Sequence, residues 1–160
     1  MTESTIKQLK HKIEHDVVDH TKDGRCIRCG MCCPDILPVT KNELITIKRY
    51  ITRCNVIPIR QVECDKAGRP TDIRLQCPFS DEKKRKCLIY SVRPEICRLF
   101  ICSQPPDVIV RNQIDCSINK KDSLFVSMHI AFLNDELYMQ TYSSHPTWKN
   151  HAVTFVKFDI

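Results

Sequence analysis

Eight residues, Cys26 to Cys33, read Cys-Ile-Arg-Cys-Gly-Met-Cys-Cys and put four sulfurs into one short stretch. Three of them, on Cys26, Cys29 and Cys32, fall at i, i+3 and i+6. A turn at that spacing points several thiolates at one place, which a metal ion or an iron–sulfur cluster fills. Apolar packing does not call for the pattern. A buried structural thiol is normally alone, and a disulfide framework spreads its cysteines along the chain. The run therefore constrains the fold to one that closes around a thiolate-rich centre.

The chain has 160 residues, enough for one domain, or a small domain with an extension. Its 11 cysteines are an odd number and cannot all pair internally. Glu3, Lys7, Lys10, Lys12, Glu14 and Asp16 interrupt the first twenty residues, so no secretory signal is read there. No apolar stretch reaches the roughly 18 residues of a membrane span. A cytoplasmic location is expected, where thiols stay reduced and clustered cysteines mean metal or redox chemistry. The formal charge of +6 counts thiols as neutral. Each four-thiolate site around Zn²⁺ or an oxidised 4Fe–4S cluster adds about −2, so the basicity is partly a counter-charge. Net charge alone is a weak argument for nucleic acid.

Ile6, Leu9, Ile13 and Val17 recur at helical spacing and predict an amphipathic helix over residues 3–19. His11 and His15, four apart, read as a solvated face of that helix rather than a ligand pair. Lys22-Asp23-Gly24 is a turn leading into the cysteine run. Thr40 and Glu43 form a capping box, and Leu44, Ile47 and Ile51 mark the inner face of a second helix. Residues 66–70 read as a turn and 71–75 as a short strand. Cys54 and Cys64 have no cysteine neighbour at knuckle spacing and read as accessory or buried thiols, and Cys116 has no assigned role.

Cys77-Pro78-Phe79 opens a second group of cysteines. The run Lys83-Lys84-Arg85-Lys86, ending at Cys87, reads as a solvated loop tip, with no interleaved aromatic to stack a base. Pro94 suits the first turn of a helix carrying Cys97, with Ile96, Leu99 and Phe100 inward and Cys102 just beyond. Residues 103–122 look loop-like. Alternation over 124–132 and the apolar stretches 137–142 and 152–158 predict three strands. His129, His145 and His151 read as packing or surface residues. The resulting expectation is an α+β fold: a small irregular cysteine-ligated core with short helices over residues 1–122, and an antiparallel β extension over 123–160 that packs on it or docks a partner.

The chain resembles the cysteine-cluster family of zinc- or iron-chelating domains, which flagellin lysine N-methylases also contain. The resemblance rests on Cys26-x-x-Cys29-Gly30-x-Cys32-Cys33, Cys77-Pro78-Phe79 and Cys87-x-Ile89-Tyr90-x-x-Arg93-Pro94-x-x-Cys97-Arg98-x-Phe100. It spans residues 24–102 and implies a metal or iron–sulfur site without a settled reaction. Ser80, where the family often has Leu, and Ile101, where Pro is common, depart from the pattern.

The candidate ligands are Cys26, Cys29, Cys32, Cys33, Cys77, Cys87 and Cys97, with Cys102 as an eighth. Adjacent Cys32 and Cys33 point apart, which suggests a second centre or a spare thiol. Arg25, Arg28, Arg93 and Arg98 are either ordinary surface charge or counter-charge for an anionic centre; Arg93 and Arg98 are the candidate cofactor-contacting pair. The ferredoxin-like triplet and the surplus of cysteines favour one or two 4Fe–4S clusters over Zn²⁺. The expected function is an iron–sulfur electron carrier or subunit of a redox assembly, with a larger protein partner. The alternative is a zinc-stabilised interaction module docking to a larger complex. No nucleotide loop or catalytic triad is visible, which favours a chain that is not catalytic alone.

Overall fold

A computed structural model describes residues 33–144, residues 21–25, Lys7, Gln8, Lys10, His11, Glu14 and Asp19, and the backbone of Val153–Thr154. Strand β1 (Ile36–Thr40) leads into helix α1 (Lys41–Arg53), followed by β2 (Val62–Cys64) and β3 (Pro70–Ile73). Then come β4 (Ser80–Asp81), β5 (Lys86–Cys87), a 3₁₀ turn at Tyr90–Val92, α2 (Glu95–Leu99) and α3 (Pro106–Cys116). Strand β6 (Ser123–Ser127), helices α4 (Met128–Leu133) and α5 (Glu136–Ser144) and the short strand β7 (Val153–Thr154) complete the order. The class is α+β, as expected.

Strand β6 is the centre of a three-stranded sheet. It runs antiparallel to β1, with Ile36 opposite Ser127 and Thr40 opposite Ser123, and parallel to β7. The hairpins β2–β3 and β4–β5 form separate two-stranded sheets. The turn at 65–69 is held by Asp65 Oδ1, which accepts from the Ala67 and Arg69 amides, both at 2.9 Å. Gly68 supplies the positive φ of 78° that this turn requires.

Helix α1 starts as its sequence demands. Thr40 Oγ1 accepts from Glu43 N at 3.2 Å, and Thr40 N donates back to Glu43 Oε2 at 2.8 Å. Leu44, Ile47 and Ile51 turn inward and join Leu37, Val39, Phe79, Ile89, Val126 and Phe132 in the main core. Phe79 and Phe132 meet edge to face at 5.2 Å. A second cluster of Ile73, Ile130, Tyr138 and Tyr142 lies between β3 and the last two helices.

Four local expectations change. Residues 106–116 form a helix rather than a loop. Pro106 occupies its first turn, where a missing N–H is harmless, and Ile109 and Val110 bury against Phe100 and Ile114. Leu99 is 37% exposed instead of inward, because α2 is too short to bury more than Ile96 on one face. The strand pattern of 124–132 stops at Ser127, whose side chain caps α4 by accepting from Ile130 N at 3.2 Å. Met128 to Phe132 are all buried, so apolar and polar residues on every side gave a false alternation. Asn134, at φ 51°, ends α4 in the left-handed conformation, and Asp135 Oδ1 receives Leu137 N at 3.0 Å to begin α5 over the stretch expected as a returning strand.

At the amino end, Lys7, Gln8, Lys10, His11 and Glu14 are helical, and His11 is exposed. Ile6, Leu9, Ile13, Val17 and His15 lie outside the described residues, as do His145 and His151. The predicted 22–24 turn is present: Lys22 and Arg25 exchange backbone hydrogen bonds at 3.0 Å around Asp23 and Gly24. Among the described residues, no helix is long and apolar enough to cross a membrane.

Candidate metal centre

Four segments contribute cysteines to the main core. Cys33 immediately precedes the Pro34–Gln76 bridge, and its carbonyl accepts from Cys77 N at 2.9 Å. Asp35 N donates to Leu75 O at 3.3 Å, so residues 33–35 lie antiparallel to 75–77. After Cys77 the chain turns sharply: Ser80 N donates to the Cys77 carbonyl at 3.1 Å. The hairpin then places Cys87 opposite Ser80. Leu88 N closes it onto Phe79 O at 2.8 Å. Cys97 comes from α2. Cys33, Cys87 and Cys97 are half-buried, Cys77 is buried, and all four pack into the main core cluster.

Burial pushes the Cys77 thiol well above its ordinary range. Its backbone hydrogen bond with Phe79 opposes that shift, and the nearby charges of Cys97, Asp35 and Cys87 add to it. Without a cation, the site keeps Cys77 as a neutral thiol. A bound cation reverses this logic, because it favours the thiolate it binds. The donor set, soft sulfur on several short segments, fits zinc or an iron–sulfur cluster. By themselves the described residues include no group of three or more His, Cys, Asp or Glu arranged to hold a metal ion. Cys26, Cys29 and Cys32, the remainder of the donor set, lie outside the described residues.

Cys102 follows α2 and is half-buried, outside the packed cluster that holds the other four. Arg93 is turned onto Tyr90: its guanidinium carbon lies 3.7 Å from the ring centre and its Nε donates to Tyr90 O at 3.0 Å. Arg98 is exposed on α2. Cys54, at the end of α1, and Cys64, on β2, are both exposed rather than buried. Cys116 is buried at the end of α3. The basic run Lys83–Lys86 is an exposed hairpin tip with Asp81 and Glu82 at its base.

No local sequence pattern announces the polar cluster behind these cysteines. The carboxylate of Asp35 is buried and accepts from Ser127 Oγ, from His129 N at 2.7 Å and from Tyr142 OH at 2.9 Å. Desolvation raises its pKa to about 6 against the pull of those three donors. Gln61 is the second hub. Its side-chain amide donates to Cys77 O at 3.2 Å and Ser80 O at 3.0 Å. Its own N–H donates to His129 Nε2 at 3.1 Å, and its carbonyl accepts from Tyr138 OH at 2.6 Å. His129 is fully buried, stacks on Tyr138 at 3.7 Å, and is a packing residue as its sequence context suggested. Burial lowers its pKa to about 4. Its Nδ1 has no hydrogen-bond partner and lies 3.8 Å from Asp135 Oδ2, a carboxylate held by Arg60.

The sequence profile of the CxxCxxCC family, described as "Putative zinc- or iron-chelating domain", matches residues 25–124. An uncharacterised protein of Methanocaldococcus jannaschii is 38% identical over 114 residues, 66% of this chain. The chain spans 58% of that relative's length. No solved structure matches.

Proposed function

The chain belongs to this family of zinc- or iron-chelating domains, and on that premise we propose that it is an iron–sulfur protein, an electron carrier or a subunit of a redox assembly. Its ligands are drawn from Cys26, Cys29, Cys32, Cys33, Cys77, Cys87 and Cys97, with Cys102 available as an eighth. One observation carries the reading: Cys33, Cys77, Cys87 and Cys97 come from four segments into one core cluster, next to a run holding three more. That is more sulfur than one tetrahedral zinc ion uses. When bound, a 4Fe–4S cluster supplies a one-electron store. The chain supplies the thiolates and their partly buried surroundings, which together set the potential.

A second reading, a zinc-stabilised interaction module, is favoured by Leu124 and Phe125, consecutive apolar residues on opposite faces of β6 that are 40% and 44% exposed. In either reading the partner is a larger protein and the exposed basic hairpin tip is a solvated loop rather than a nucleic-acid contact. Anaerobic purification followed by iron, acid-labile sulfide and zinc analysis separates the two. Iron and sulfide in equal amounts support the cluster. A colourless protein with stoichiometric zinc replaces it with the second reading.

A further inference from the structure

We propose that the segment Ser127–Tyr142, which lies beyond the stretch matched by the family, positions Cys33 and Cys77 through a buried polar clamp with two jaws. The importance of this clamp for metal retention rests on the metal-binding reading above. Its geometry does not.

The first jaw is Asp35, two residues after Cys33. Ser127, His129 and Tyr142 direct three donors at its carboxylate, and Met128 N adds a bond to its carbonyl at 3.0 Å. The second jaw is Gln61. His129 and Tyr138 fix its backbone from α4 and α5, which aims the side-chain amide at the carbonyls of Cys77 and Ser80. His129 serves both jaws, with its backbone on Asp35 and its ring on Gln61. The two jaws meet where Cys77 N donates to Cys33 O.

Such buried networks hold a single geometry because every alternative leaves a polar group unpaired in a low dielectric. Partners that orient the ligands of a metal typically change its affinity by about 10- to 100-fold when removed. Gln61, Asp35, His129, Tyr138 and Tyr142 are thus positioning residues. None of them is assigned as a ligand. Ser80 also finds a role here. It is buried, its carbonyl takes one of the two Gln61 bonds, and its hydroxyl accepts from Gln76 Nε2 at 3.3 Å, so a hydroxyl suits the place where the family often has Leu.

The test compares Gln61→Met, which keeps the volume and removes both amide bonds, with Ile47→Val, a core change at a residue that bonds to neither jaw through its side chain. Two readouts are taken on the full chain. The first is the rate of metal loss to excess chelator from protein as purified under anaerobic conditions. The second, after that metal is removed, is the alkylation of Cys77 relative to Cys116 by mass spectrometry. Cys116 is buried in the same core as Cys77 but belongs to neither jaw, so general destabilisation speeds both thiols together. The clamp requires Gln61→Met to release metal about 10-fold faster and to raise the Cys77:Cys116 ratio, with Ile47→Val leaving the ratio unchanged. Equal acceleration of both thiols, or none, overturns the proposal. If wild-type protein carries neither iron nor zinc, the metal reading fails while the alkylation ratio still decides the clamp. Should Gln61→Met not accumulate as folded protein, Tyr138→Phe keeps the ring and loses only its hydroxyl. The same ratio must then rise, by a smaller factor.

Discussion

Around Cys77 the chain gathers sulfur on small elements: the paired two-residue strands β4 and β5 and the five-residue helix α2. Around Asp35 it gathers oxygen and nitrogen, fully enclosed, with three donors on one carboxylate. The two regions touch through the Cys33–Cys77 backbone bond. Elements as short as those of the first region have little cooperative stability of their own and depend on packing into the main core and, on the proposed reading, on the bound centre. The second is largely self-sufficient, because its polar groups, His129 Nδ1 excepted, satisfy one another. The difference suggests a division of labour, in which one region is organised by what it binds and the other holds it in register beforehand.

The largest effect should come from the first region. Cys77→Ser is expected to lose bound metal and, with it, folding free energy on the order of 10 kcal/mol, while Cys54→Ser, at an exposed site, keeps both. Metal analysis paired with thermal unfolding checks this. Retention of metal by Cys77→Ser would break the comparison at its root.

Next in size is the hub of the second region. Asp35→Ala leaves the Ser127 and Tyr142 hydroxyls and the His129 amide without their acceptor, and should cost about 3–5 kcal/mol in urea unfolding. A loss within about 0.5 kcal/mol, as at an ordinary surface site, would mean that the polar region is not self-sufficient.

His129 gives a pH signature. Its folded pKa of about 4 lies below the ordinary value of 6.5. The unfolded chain therefore binds the extra proton between those values, and stability rises with pH across that window. The contribution is complete above pH 6.5 and is lost as pH falls through 4. Its size is about 3 kcal/mol, from 1.36 kcal/mol per pKa unit. Asp35, raised to about 6, acts in the opposite sense over much of the same range. The measurable quantity is thus the stability difference between wild type and His129→Leu, which should shrink by about that amount from pH 7 to pH 4. A difference independent of pH would show that His129 is not buried in its neutral form.

These two regions differ as much in legibility as in chemistry. The cysteine pattern is readable because thiol ligation needs fixed residue types at short spacings, so Cys33, Cys77, Cys87 and Cys97 stand out without a structure. The capping box at Thr40 and Glu43 and the inner face of α1 are local in the same way. The clamp is not local. Asp35 and Tyr142 lie 107 residues apart in the chain, and nothing near Gln61 announces that its amide reaches Cys77. Helix α4 was hidden for another reason. Full burial of residues 128–132 removes the polar face on which a helical period depends. In α3 the pair Pro105-Pro106 reads as a breaker, although a proline in the first turn begins a helix as readily as it ends one.

The smallest expected effect sharpens the boundary between the regions. Thr40→Ala removes half of the capping box and should cost about 1 kcal/mol. Its partner Glu43 also accepts from Glu95 N at 2.9 Å, at the start of the helix that carries Cys97. If Thr40→Ala speeds metal loss beyond what its stability change explains, α1 joins the support of the cysteine region. If the two effects track each other, the cap serves the core alone.

The central claim is that thiolates from the 26–33 run and from the later segments share an iron–sulfur centre. X-ray absorption on the anaerobically purified full chain tests it most directly. The account predicts absorption at the iron edge, an all-sulfur first shell and a distinct iron–iron shell. Absorption at the zinc edge with no metal–metal scattering, or a first shell of nitrogen and oxygen, would contradict it.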